Sequence, residues 1–205
     1  MNFDVTPLFA VPLYYSKNGI DLLNGNLLCI DTLEFIKTKT KTNSVSKDTN
    51  VLAKPEFQQY KDICEMHLKQ FVDTVLQSTQ TFYITNSWIA KSDPGEEHSI
   101  HHHPNSIISG VLYLQSSEDC GKINFHHKSP FKHEFSFNYD LKNYNQFNSD
   151  MWSYSPLTGD MIIFPSWLRH SVNKNQSNSS RIILGFNAFV KGTFGSNEYA
   201  ADLTL

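Results

Sequence analysis

At 205 residues the chain is long enough to bury one sizeable core, and nothing in it requires a second domain. Seventeen basic against twenty acidic side chains, a formal net charge of -3, give no broad positive field of the kind nucleic-acid binders use. No apolar run reaches the roughly 20 residues that cross a bilayer, and the N-terminus lacks a basic segment followed by an apolar core, so neither nucleic acid nor membrane is an expected partner. Cys29, Cys64 and Cys120 are too few and too widely spaced for a disulfide framework or a zinc ribbon, which suits a soluble, unprocessed protein of a reducing cytoplasm.

Fifteen Phe and nine Tyr, with charged residues at only 18%, favour a β-rich fold in which aromatics pack on pleated surfaces. Residues 6–15 are apolar, but Pro7 and Pro12 remove ladder donors and push the segment to a sheet edge. Residues 22–37 carry Leu22, Leu23, Leu27, Leu28, Ile30, Leu33 and Ile36 at roughly helical spacing, interrupted by Asn24-Gly25-Asn26, and read as a helix. Residues 37–50 are polar and low in complexity, so a flexible loop or solvated strand without chemistry is expected.

From Pro55 the period is clearly helical to residue 77, with Phe57, Tyr60, Ile63, Cys64, His67, Leu68, Phe71, Val72, Val75 and Leu76 on one stripe. His67 sits on that stripe and reads as a core histidine. Residues 82–90, aromatic and β-branched, predict a strand that delivers the chain to the turn Asp93-Pro94-Gly95. Further strands are expected over 107–114, 122–125, 161–164 and 181–190, separated by polar turns. Residues 131–152, rich in Asn, Tyr, Phe and Lys, read as irregular strands and loops of the kind that hold substrate. The series of short strands predicts a mainly β protein, a jelly roll with the 55–77 helix on its outer face.

Chemistry concentrates in residues 95–187. Residues two apart in an extended strand project from one face, so His101 and His103 can point at one ion, which neutral imidazole binds well. His170 follows a later strand and Arg181 begins the next one. Three imidazole nitrogens could bind one face of an iron(II), leaving positions for a bidentate co-substrate and oxygen, while Arg181 could hold a far carboxylate through its fork.

The motifs His101-His102-His103-Pro104, Ser109-Gly110-Val111-Leu112-Tyr113, Gly159-Asp160-Met161-Ile162-Ile163-Phe164-Pro165-Ser166 with His170, and Arg181 with Phe186-Asn187 resemble the 2-oxoglutarate and iron(II)-dependent oxygenase superfamily. Within it they are similar to a group from marine bacteria and bacteriophages with a His-x-His-Pro motif. Thr6-Pro7 and Asn86-Ser87-Trp88 extend the likeness over most of the chain. The resemblance implies one double-stranded β-helix, or jelly roll, with the N-terminal strand and helices of 1–80 packing on a β core of 81–192. It implies His101, His103 and His170 as ligands of Fe(2+), and Arg181 as the carboxylate partner of 2-oxoglutarate. Tyr113 is a candidate for the 2-oxoglutarate pocket. Molecular oxygen would be the other co-substrate, and an unidentified protein side chain or small molecule the primary one. A cytoplasmic protein is implied, in the host cytoplasm if phage-encoded, and a homodimer is left open. The wider superfamily has Asp or Glu where this chain has His103, so the anionic ligand is missing unless Glu96 or Glu97 supplies it.

Two other readings stand beside this one: a three-histidine cupin-type dioxygenase without 2-oxoglutarate, and a non-catalytic jelly-roll binding module. His98 and His102 read as bystanders, and His126, His127 and His133 as exposed hairpin residues. Trp88 and Trp167 read as core, and Arg181 has a structural salt bridge as its alternative role.

Overall fold

Aromatic and β-branched runs broken every few residues by Gly, Pro, Asn and Ser pair as antiparallel strands through most of the chain. The computed structural model describes residues 2–17, 27–39, 42–127, 142–195 and 202–205. Seven strands form one sheet, in the order β1 (Tyr14–Ser16), β9 (Met161–Pro165), β6 (Ile108–Gln115), β11 (Arg181–Lys191), β4 (Thr81–Ser92), β3 (Ser44–Ser46) and β2 (Phe35–Lys37). Four more form a second sheet, β5 (His98–His101), β10 (Arg169–Val172), β7 (Ile123–His126) and β8 (Met151–Tyr154). A short pair, β12 (Thr193–Phe194) and β13 (Leu203–Thr204), stands apart from both. The outcome is the mainly β, jelly-roll architecture that the strand pattern predicts.

The large sheet is buried on both faces, and the alternation along its strands decides which core each residue joins. Ile108, Leu112 and Leu114 of β6, Met161 and Ile163 of β9, and Leu184 and Phe186 of β11 pack with Tyr60, Cys64, Leu68 and Phe71 of helix α2 (Gln58–Phe71). Their neighbours Tyr113, Ile162 and Phe164 turn the other way and meet Ile123, Phe125 and Leu168 of the second sheet region. Strands buried on both faces read as continuous apolar runs, which is why Met161-Ile162-Ile163-Phe164 shows no alternation. Each fully buried side chain such as Phe57, Phe71, Phe164 or Phe186 contributes roughly 1.5–3 kcal/mol. Gly110 makes room for one of them, since an added Cβ would lie 2.1 Å from the Phe186 ring.

α2 begins behind a 3-10 turn with Pro55 in its first positions and runs on through a wider π turn, Val72–Leu76. Gln77 ends it in the left-handed conformation, φ 49°. The expected N-terminal edge strand shortens to β1, which does lie at the sheet edge against β9, while Leu8 and Phe9 are exposed. Of the helix expected over 22–37, residues 22–26 lie outside the described residues. The remainder is a single turn, α1 (Leu28–Asp31), followed by β2, because Phe35 and Ile36 find a ladder partner in β3. Of the two readings for 37–50, flexible loop or solvated strand, the strand forms, and it is partly buried: β3 bonds to β4, and Asn43 and Ser46 are buried. The 131–152 segment lies outside the described residues up to 141, and its end forms β8.

Candidate active site

β5 and β10 bring the histidines together. His170 pairs with His101 and Val172 with His98, so two residues of β5, Ser99 and Ile100, stand against one of β10, Ser171, and the ladder carries a bulge. That extra residue puts His98 and His101 on one side, with rings stacked at 4.1 Å, although regular alternation would separate them. Beyond β5 the chain is tied to the β9–β10 turn by His103 N–H donating to the Ser166 carbonyl at 3.0 Å. Ser166 belongs to a buried hydroxyl network with Ser106 and Ser109, and Ser109 donates to Asn187 Oδ1, each bond 2.8 Å. The His103 ring is stacked against Trp88 at 5.5 Å, and lies parallel to His170 with centroids 5.1 Å apart. Trp88 has its place because Gly185 opposite lacks a side chain; a Cβ there would fall 2.6 Å from the indole.

One ring nitrogen each from His101, His103 and His170 lies within 4.8 Å of the others, the arrangement that could hold a metal ion. Their chemistry fits an iron(II). A carbonyl can only accept, so the contacts of His101 Nδ1 with Ser99 O (2.8 Å) and of His170 Nδ1 with Leu168 O (3.0 Å) make Nδ1 the donor and leave Nε2 with a lone pair. Nε2 of His103 and Nε2 of His170 converge to 3.3 Å. Burial keeps all three rings neutral, the form that ligates: it lowers His101, holds His103 at about 4 and His170 at about 2, with neighbouring imidazoles adding to the effect.

Arg181 opens into the same cavity from the large sheet, together with Tyr113, Trp88, Ser92 and His98. Only 4% of it is exposed, and its guanidinium donates to the Cys120 carbonyl and, at 2.9 Å, to Ser92 Oγ. Both partners are neutral, and among the described residues no carboxylate forms a salt bridge with it. The salt-bridge alternative for Arg181 finds no partner among the described residues. Burial lowers its pKa, as expected of a cation without a compensating anion. Tyr113 is buried in the cavity wall, and desolvation raises its pKa against the pull of Arg181.

The structure thus assembles all five residues singled out from the sequence, His101, His103, His170, Arg181 and Tyr113, around one cavity. His102 is exposed, as alternation requires, and His67 is a buried core residue hydrogen-bonded to Tyr14. His126 bonds Ser171 Oγ at 2.9 Å and His127 is exposed, while His133 lies outside the described residues. Three readings change. His98 lines the cavity, because the bulge overrides simple alternation, and Trp88 is a cavity wall rather than plain core; Trp167, expected as core, is 61% exposed. Neither glutamate joins the imidazoles: Glu96 binds Lys37 and the Asp93 N–H, and the clustered donors among the described residues are the three histidines alone. Asn43 and Ser92 also line the cavity, and the only sequence signal for them is the register that β3 and β4 impose.

Residues 86–187, which include the whole histidine cluster and Arg181, match the family described as "Putative 2OG-Fe(II) oxygenase". No curated protein is significantly similar in sequence. The fold is similar to HygX from Streptomyces hygroscopicus, solved with nickel and 2-oxoglutarate, at 11% identity and TM-score 0.63 over 87% of this chain and 82% of that one. It is similar to a Pseudomonas putida prolyl-4-hydroxylase at 15% identity and TM-score 0.59, over 86% and 92% of the two chains. SnoN, an α-ketoglutarate-dependent epimerase of nogalamycin biosynthesis, shares it at 9% identity and TM-score 0.63, over 87% and 76%. At these identities the likeness is one of fold, and the sequence match supplies the rest. Family match, jelly-roll fold and three-histidine cluster agree: the chain belongs to the 2-oxoglutarate and iron(II)-dependent oxygenases, a class of oxidoreductases.

Proposed function

We propose that His101, His103 and His170 hold one iron(II), that Arg181 anchors the far carboxylate of 2-oxoglutarate, and that the chain hydroxylates a protein side chain or a small molecule. Arg181 carries the reading. A guanidinium that is 4% exposed and has no acidic partner among the described residues is costly unless an anion joins it, and it shares its cavity with the histidine cluster. Bound there, iron(II) supplies the redox chemistry by which 2-oxoglutarate and dioxygen become succinate and carbon dioxide while one oxygen atom enters a substrate C–H bond. The chain's own residues position and exclude. The Ser99 and Leu168 carbonyls fix the ring tautomers, and Trp88, Phe164 and Phe125 wall the imidazoles from water. A second cavity of about 240 Å³ is lined by Leu13, Phe125, Trp152, Tyr154 and Leu168, and shares the Phe125 wall with His170. His126, His127 and Asp150 also line it, and its aromatic and aliphatic side suits an apolar portion of the primary substrate.

Succinate formation from 2-oxoglutarate tests the proposal, using protein loaded with iron(II) without oxygen and then exposed to it. Slow turnover in the wild type, lost in Arg181→Ala, is the expected result. If the iron-loaded wild type binds no 2-oxoglutarate, the proposal fails and the three-histidine cupin-type dioxygenase takes its place, with oxygen uptake indifferent to 2-oxoglutarate.

A further inference from the structure

Asn43 stands one residue before β3, in the stretch whose composition promised no chemistry. The pairs Ser44↔Lys91 and Val45↔Ala90 carry its register to Ser92, and Ser92 pairs on its other side with Arg181. Residues directly opposite in antiparallel strands share a face, so Asn43, Ser92 and Arg181 form one row across three strands. All three line the cavity that the histidine cluster also faces. The Asn43 side chain is 1% exposed and its Oδ1 has no hydrogen-bond partner. Its loop does not depend on that amide, because the backbone does the tethering: the Asn43 carbonyl accepts from Thr38 N–H at 3.0 Å and from Thr38 Oγ1 at 3.3 Å.

A buried amide without a partner is destabilising, and a group that lines a cavity in this state is one that a ligand would satisfy. The nature of the ligand follows from the row. Arg181 makes it an anion, and two of the five guanidinium donors are already given to Cys120 and Ser92. A carboxylate has about four acceptor positions, so it keeps lone pairs for a further donor. The amide end of Asn43 can turn by half a rotation to present its NH2 to that carboxylate. The geometry points to Asn43 as a second donor, beside Arg181, for the far carboxylate of 2-oxoglutarate. This rests on the reading above, in which that co-substrate occupies the cavity.

The test is a calorimetric titration of the full-length, iron(II)-loaded protein under anaerobic conditions, with 2-oxoglutarate and with 2-oxopentanoate, the same keto acid without the far carboxylate. Asn43→Ala is expected to weaken 2-oxoglutarate tenfold or more and 2-oxopentanoate less than twofold, with iron content unchanged. Asn43→Asp, of nearly the same shape, sets a like charge against the carboxylate and is expected to weaken 2-oxoglutarate at least as much. A merely structural asparagine predicts a lower melting temperature for the metal-free Asn43→Ala protein, whereas the unpartnered amide predicts an equal or higher one. Wild-type affinity for 2-oxoglutarate in both variants overturns the role of Asn43 and leaves the oxygenase reading intact. Equal weakening of both keto acids also overturns it, since the effect would then run through the metal centre. Absence of 2-oxoglutarate binding in the wild type overturns both readings together.

Discussion

His170 contributes through Nε2 alone, because its Nδ1 donates to the Leu168 carbonyl, and its ring is held between Phe164 and Phe125. His102 has no such setting and is exposed between two clustered neighbours. His170→Ala should therefore lose bound iron, from one per chain to near none by metal analysis, with an unchanged circular dichroism spectrum. His102→Ala should keep it; equal metal content in the two variants would remove His170 from the ligand set. At this scale the period-2 rule was sufficient for His101, His102 and His103, since side-chain direction in extended chain follows from sequence alone. It failed for His98, because a bulge depends on the pairing partner and β10 lies about 70 residues away. Asn43 and Ser92 were illegible for the same reason: their meaning is a row across three strands, and no local pattern records which strands will meet.

α2 shows what an element can and cannot reveal. Its stripe of Tyr60, Cys64, Leu68 and Phe71 was readable because helical periodicity is a local property, and the stripe packs on the large sheet as expected. β2 was not readable, and β3 was readable only as one of two alternatives, since strands of three residues are stabilised by the neighbour they pair with. His67 on that stripe gives the helix a pH dependence. Its Nδ1 meets Tyr14 OH at 2.7 Å, its Nε2 has no partner, and burial lowers its pKa below 6.5. As pH falls below 6.5 the unfolded chain takes up a proton that the folded chain resists, so the stabilising share is complete above 6.5 and is lost on acidification. Urea unfolding of metal-free protein should show stability declining below that pH, and His67→Gln should decline less steeply, by at most about 1.4 kcal/mol per pH unit. Parallel curves for the two proteins would mean that His67 titrates normally.

For the whole molecule, the distribution of the site over both sheets has a thermodynamic consequence. His101 and His170 lie on β5 and β10 of the small sheet, whereas Arg181, Tyr113 and Trp88 project from the large one. An ion on the histidines engages the small sheet and the loop that carries His103. A dicarboxylate reaching from that ion to Arg181 would tie the two sheets together. Whatever binds the folded chain and not the unfolded one stabilises by RT ln(1 + [L]/Kd), about 2.7 kcal/mol at a hundredfold excess over Kd. For a domain of this size each kcal/mol raises the melting temperature by roughly 2–4 °C, so each saturating ligand should add several degrees. Iron(II) alone should raise the melting temperature of the wild type under anaerobic conditions, and 2-oxoglutarate should raise it again only when iron is present. Arg181→Ala should keep the first increment and lose most of the second, while His170→Ala should lose both. Should 2-oxoglutarate stabilise the iron-loaded Arg181→Ala protein as much as the wild type, its far carboxylate would have to be held elsewhere, and the buried guanidinium would need another anion.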